Sequence, residues 1–179
     1  MKIDKLWNGL KQIANGDYVL EGDLISEETI EIDLDDRLVI KGKVQTQKSI
    51  IVRCGIKAGC GIKAGLGIEA GLGIEAGLGI EAGDGIEAGL GIKAGCGINA
   101  GCGINAGNGI EAGGGIEVGC GIKACYGIKA CYGIKARYGI KAGWGIEAGD
   151  GIEAGCEYGI YAGLRCRITN KTQRKIIAK

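Results

Sequence analysis

Residues 121–144 read GIKACY, GIKACY, GIKARY and GIKAGW, so four successive six-residue units carry an aromatic at the sixth place and a lysine at the third. Tyr126, Tyr132, Tyr138 and Trp144 thereby alternate with Lys123, Lys129, Lys135 and Lys141, and Arg137 adds a further cation. Aromatic rings interleaved with cations can stack on bases while the cations neutralise phosphate; Tyr, Trp and Arg are also the anchors over-represented in protein interfaces. A decorated, solvated surface is the competing explanation, because Glu111, Glu117, Glu147 and Glu153 lie in neighbouring units and would balance the lysines. Covalent chemistry has fewer candidates. With no histidine the chain lacks the commonest general base, zinc ligand and proton shuttle, which excludes Ser-His, Cys-His and His-metal mechanisms within it. Its nine cysteines show no paired C-x-x-C spacing, and a nucleophilic thiol would need an activating base where only lysines are near. We expect no catalytic residue, no metal and no cofactor, and reduced thiols that behave as small apolar side chains. Cys102 and Cys120 are the pair that an 18-residue coil would stack within Cα reach of a disulfide.

A second charged set lies at the two ends. Eight acids and no base occupy Glu21 to Asp36, and alternation with Ile30, Ile32 and Leu34 makes Glu31, Asp33 and Asp35 an outward row. The spacing does not match an EF-hand loop, so a solvated strand face is favoured over a calcium site. The last fifteen residues, 165–179, hold six bases and no acid. Head-to-tail contact of Glu31, Asp33 and Asp35 with Arg165, Arg167, Lys171 and Arg174 of a second copy would build filaments or rings; an ordinary basic tail is the alternative. Overall charge decides nothing here, since 22 bases against 21 acids leave +1.

What must position these groups is a repeat. From Gly55 to Cys156 the chain is 17 uninterrupted hexads of the form G-I-[K/E/N]-A-G-x, which contain 32 of the 38 glycines. Two glycines per hexad and a period of six exclude a helix. Within Ile-Lys-Ala, alternation sends Ile and Ala inward and the charge outward. Gly-x-Gly then reads as a corner, on the expectation that glycine supplies positive φ there and that x protrudes. Stacking the third positions at intervals of 18 gives 8 opposite-charge, 2 like-charge and 4 Asn-containing neighbours, against 7, 4 and 4 at intervals of 12. The two like pairs are Glu69 with Glu87 and Lys123 with Lys141. An interval of 24 scores 8, 1 and 4, so charge does not separate three hexads per coil from four.

The expected architecture is an all-β, single-stranded β-solenoid with about 18 residues per coil. Ile3, Leu6, Trp7, Leu10 and Ile13 fall at helical spacing and predict a short amphipathic capping helix over residues 1–16. Irregular leading coils are expected over 17–54, the regular solenoid over 55–156, and a C-terminal end with a basic tail over 157–179. The start, MKIDKLWNGLKQIANGD, is interrupted by charge throughout, unlike a signal peptide, and no apolar run of 18 residues occurs; the expected location is the cytoplasm.

The GIKAGC and GIEAGL units resemble hexapeptide-repeat β-helix proteins, and the leader YVLEGDLI…LVIKGKV…SIIV is similar in texture to bactofilin-like, polymer-forming solenoids. The resemblance spans Tyr18 to Leu164 and implies a triangular coil. It departs from the hexapeptide acyltransferases, whose pattern wants a small residue where this chain has Leu66, Asp84, Tyr126 or Trp144, and whose catalytic histidine has no counterpart. The expected function is therefore non-enzymatic: stoichiometric binding of a protein or ribonucleoprotein through the charge-banded Tyr/Trp surface. Single-stranded nucleic acid is a less favoured partner and no membrane contact is expected. Two alternatives are a self-assembling bactofilin-like scaffold, which would be a homo-oligomer, and a small phage-encoded inhibitor of anti-CRISPR type that occludes a nucleic-acid-processing complex.

Overall fold

Ile-x-Ala triplets form three-residue strands because the two inward side chains are buried together while the third residue stays in solvent. From Ile56 to Ala154 every second-position Ile and fourth-position Ala or Val is buried, giving one continuous core. The computed structural model describes residues 1–155, 159–169 and 175–178, and shows a single-stranded β-solenoid of about eight coils. Among these residues there is no helix, and hence none long and apolar enough to cross a membrane.

Each coil contributes one strand to each of three sheets, of ten, nine and nine strands, parallel throughout except where the first strand of the ten-stranded sheet folds back antiparallel. We call them the first face (with Ile56–Ala58), the second (with Ile62–Ala64) and the third (with Ile68–Ala70). Their register is 18 residues, Ile56 beside Ile74, Ile62 beside Ile80 and Ile68 beside Ile86, which settles three hexads per coil. Backbone groups are paired from coil to coil even at the corners. Ile56 N–H donates to the Gly73 carbonyl at 3.0 Å, Gly77 N–H to that of Ala58 at 2.9 Å, and Leu78 N–H to that of Cys60 at 3.1 Å. The leader joins the same scheme with a longer coil: Ile30 faces Ile50, an interval of twenty.

Two expectations need correction. The corner glycines are not there for positive φ, which among the described residues occurs only at Gly9, Gly16, Gly22 and Gly159. They are there for want of a Cβ. At the fifth position of the hexad, an added Cβ would lie 1.6–2.2 Å from the backbone oxygen one coil earlier. Cys125, Cys131 and Arg137 do occupy that position, all within one coil, and their N–H···O contacts stretch to 3.2–3.3 Å where the glycines hold 2.8–3.1 Å.

The capping helix over 1–16 is also not formed. Instead β1 (Lys2–Ile3) and β2 (Leu10–Gln12) lead into β3 (Tyr18–Leu20), β4 (Leu24–Ser26) and β5 (Ile30–Ile32). β1 adds in parallel to β5 at the end of the third face, where Glu31 and Asp33 N–H groups donate to the carbonyls of Met1 and Ile3, both at 2.9 Å. β2 folds back antiparallel on β3 at the end of the first face. The physical reason is twofold: Asn8-Gly9 and Asn15-Gly16 are turn dipeptides, with φ of 100° and 95° at the glycines, and the bare ladder edge offers partners that a helix would leave unused. Leu6 is 92% exposed and Ile13 45%, so the helical stripe read from the sequence is not a buried face.

Candidate partner-binding surface

Fixing the coil at 18 residues assigns every sixth-position side chain to one of three edges. Between the third and first faces run Leu72, Leu90, Asn108, Tyr126, Trp144 and Leu164, each corner N–H donating to the carbonyl of the residue before it in this series. Five of the six are large apolar or aromatic side chains, and all five are exposed, from 44% at Leu72 to 80% at Leu164. Tyr126 and Trp144 stack, with ring centroids 4.6 Å apart and planes 29° from parallel. Offset stacking of this kind holds both rings in place without burying them. A shallow groove of about 1010 Å³ follows this edge along the first face, with Gly73, Gly91, Gly109 and Gly127 in its floor.

The other expected aromatics are not part of this cluster. Tyr132 belongs to the edge between the first and second faces, one coil from Gly114, and Tyr138 to the edge between the second and third, one coil from Cys120. The lysines are likewise divided. Lys129 lies on the first face between Glu111 and Glu147, Lys135 on the second between Glu117 and Glu153, and Lys123 and Lys141 adjoin each other on the third. Lys135 pairs with Glu117 at 3.7 Å, and Arg137 is exposed at the edge that carries Tyr138. What converges at one corner is thus Tyr126 with Lys123 and Lys129 on the strands either side, and, one coil on, Trp144 with Lys141 and Glu147. Leu72, Leu90 and Leu164 were missed as partners of this site. Intervals of 18 along the sixth positions line up Leu72 and Leu90 with Tyr126 and Trp144, whereas Leu164 lies twenty residues beyond Trp144, past the end of the repeat, and carries no such signal.

The acidic row is engaged within the chain. Lys2 and Arg53 contact Asp33 at 3.1 and 3.0 Å, while Lys5 and Arg53 (3.7 Å) reach Asp35. Hydrogen bonds from these cations hold the Asp33 and Asp35 carboxyls below the usual carboxylate range. Glu31 is exposed on β5, with β1 laid over its strand edge. At the other end Arg165 approaches Glu147 at 3.9 Å and Arg167 is exposed; Lys171 and Arg174 lie outside the described residues.

All eight described cysteines are free thiols, and burial pushes the Cys54 thiol up. Cys102 and Cys120 are stacked through Cys120 N–H to Cys102 carbonyl at 3.0 Å, with no disulfide between them. Among the described residues no three Cys, Asp or Glu side chains are grouped to hold a metal ion. Neither a family model, nor a curated protein, nor a solved structure matches the chain.

Proposed function

We propose that the chain is a cytoplasmic, non-enzymatic interaction protein that binds a protein or ribonucleoprotein stoichiometrically, and that its contact is the edge centred on Tyr126 and Trp144. The observation that supports this reading is the stacked, solvent-facing Tyr126–Trp144 pair within an apolar column on a rigid frame. A soluble protein gains no stability from five large apolar side chains held in water, whereas such side chains, already ordered, bind a complementary cleft at low entropic cost. Lys123, Lys129 and Lys141 beside the rings favour a partner whose apolar cleft has an acidic or phosphate-bearing rim.

Affinity capture from lysate with the wild-type chain, the Tyr126→Ser/Trp144→Ser variant and the Tyr132→Ser/Tyr138→Ser variant tests the reading. The first substitution pair is expected to abolish capture and the second, on the other two edges, to leave it intact. Equal capture by all three would reject the site. The head-to-tail scaffold has less support, because Asp33 and Asp35 are already engaged by Lys2, Lys5 and Arg53.

A further inference from the structure

On the first and second faces most outward charges pair within the chain, Lys57 with Glu75 and Lys63 with Glu81 at 2.9 Å and Lys93 with Glu111 at 3.7 Å, with Lys129 and Glu153 the exceptions among the described residues. The third face does otherwise. From the third coil onward its outward residues are Ile51, Glu69, Glu87, Asn105, Lys123, Lys141 and Tyr161, one per coil in unbroken register, and beyond Ile51 the face ends in Glu31 and Lys2, which lie outside the seven-residue series. All seven are exposed. Among the described residues none of the four charged ones is in an ion pair, and Glu87 accepts only an amide hydrogen bond from Asn105 at 3.3 Å. The charges are segregated, acidic on one side of Asn105 and basic on the other, and the series is an inverted palindrome. Counting outward from Asn105, Glu87 corresponds to Lys123, Glu69 to Lys141, and the exposed Ile51 to the exposed Tyr161.

We infer that the third face is a self-complementary docking surface on which a second copy of the chain lies antiparallel, related by a two-fold axis that runs along the strand direction through Asn105. That axis sets Glu87 against the partner's Lys123 and Glu69 against the partner's Lys141, each contact occurring twice, with Ile51 against the partner's Tyr161 at both ends. A parallel pairing would oppose Glu69 and Glu87 to their own counterparts and is rejected by like-charge repulsion. The bordering edges fall in register as well. The same axis brings Leu90 level with the partner's Tyr126 and Leu72 level with the partner's Trp144, while Leu66 comes level with the partner's Tyr138 on the opposite border. With strands about 4.8 Å apart and sides about 18 Å wide, the seven-coil face spans about 29 Å, so the pair buries on the order of 1,000 Å². That is the lower end for a specific interface, and the dimer is accordingly concentration- and salt-dependent. The inference rests on the third-face charges, of which Lys123 and Lys141 also border the edge proposed above for a partner.

Sedimentation equilibrium of the full chain tests it, with circular dichroism to confirm that each variant keeps its β-structure. Wild type is expected to be dimeric at low ionic strength and to dissociate as salt is raised. E69K/E87K makes the face wholly basic and K123E/K141E wholly acidic; each is expected to weaken self-association at least tenfold, while a 1:1 mixture of the two re-forms dimers. The fourfold reversal E69K/E87K/K123E/K141E restores the palindrome with opposite sign and is expected to dimerise as wild type does. A monomeric wild type at low salt would overturn the inference. So would undiminished association of either single-signed variant, or failure of both the mixture and the fourfold reversal to dimerise while folded. E69K/E87K alters neither Tyr126 and Trp144 nor the lysines beside them, so in that variant loss of the dimer and loss of partner capture are read separately.

Discussion

Replacing Gly83 by alanine places a Cβ 1.9 Å from the Gly65 carbonyl oxygen, whereas the same change at Gly67, on the same edge one coil earlier, meets nothing nearer than the Gly85 oxygen at 3.5 Å. Neither glycine has positive φ, so backbone strain does not separate them. At Gly83 the contact is with backbone, and the coils must part. The way they do so is visible at Cys125, where the corner N–H···O distance reaches 3.3 Å. Displacing packed backbone and weakening one hydrogen bond cost about 1–3 kcal/mol together, offset by about 0.4–1 kcal/mol from the reduced freedom of the unfolded chain. Gly67→Ala keeps only the second effect. The two variants should therefore differ by about 2 kcal/mol, Gly83→Ala below wild type and Gly67→Ala slightly above it. With a urea slope of about 2 kcal/mol/M, the difference is about 1 M in unfolding midpoint at unchanged slope. Coincident midpoints, or a less stable Gly67→Ala, would refute the claim that the fifth-position glycine is required by coil spacing.

Ile104→Ala, at a side chain 2% exposed in the middle of the core, should cost about 2–5 kcal/mol in the same denaturation assay, with the higher values if the neighbouring Ile86 and Ile122 do not close the gap. Cys54 is 2% exposed and its thiol is raised by burial, so brief alkylation of the native chain followed by peptide mass mapping should leave it unmodified while Cys60 and Cys96 react. Acid should loosen the N-terminal cap before the repeat. The folded-state pKa values of Asp33 and Asp35 are lowered, so their contribution is full above the ordinary carboxylate range and is lost as pH falls through the lower folded values. Protection of the Glu31 and Asp33 amides, whose N–H groups are bonded to β1, should then fall on acidification once rates are corrected for the intrinsic pH dependence of exchange, while Ile104 stays protected.

The regular solenoid was legible because its determinants repeat. Seventeen copies of Ile and of the Ala position fix which side chains are inward, and the i, i+18 charge pattern singles out the observed register over a two-hexad coil. The four-hexad coil was excluded only by the structure, because charge is a surface term of a few tenths of a kcal/mol and core closure is not visible along one strand. The capping segment failed for a related reason. Five apolar residues at helical spacing outweighed two Asn-Gly turns, and nothing local announces that an unpaired sheet edge lies within reach of Lys2 and Ile3. The aromatic run is contiguous in sequence alone: a triangular coil already implies that Tyr126, Tyr132 and Tyr138 stand on three different edges, and the structure adds that Trp144, eighteen residues from Tyr126, is the ring it stacks on.

Three hexads per coil also make chain length and facing direction a single variable. Removing eighteen residues from the repeat shortens the prism and leaves every downstream side chain on its own face. Removing six preserves the Ile-Ala core and the corner glycines just as well, yet advances everything that follows by a third of a revolution. The core is blind to this phase; the surface is not. A one-hexad deletion at residues 109–114 would detach the Lys123–Lys141 half of the third face from the Glu69–Glu87 half, and would turn the Trp144 edge away from Leu72 and Leu90, without removing any of those residues. A gain or loss of one hexad therefore leaves the inward Ile-Ala pattern in register and shows itself only in the alignment of the outward columns.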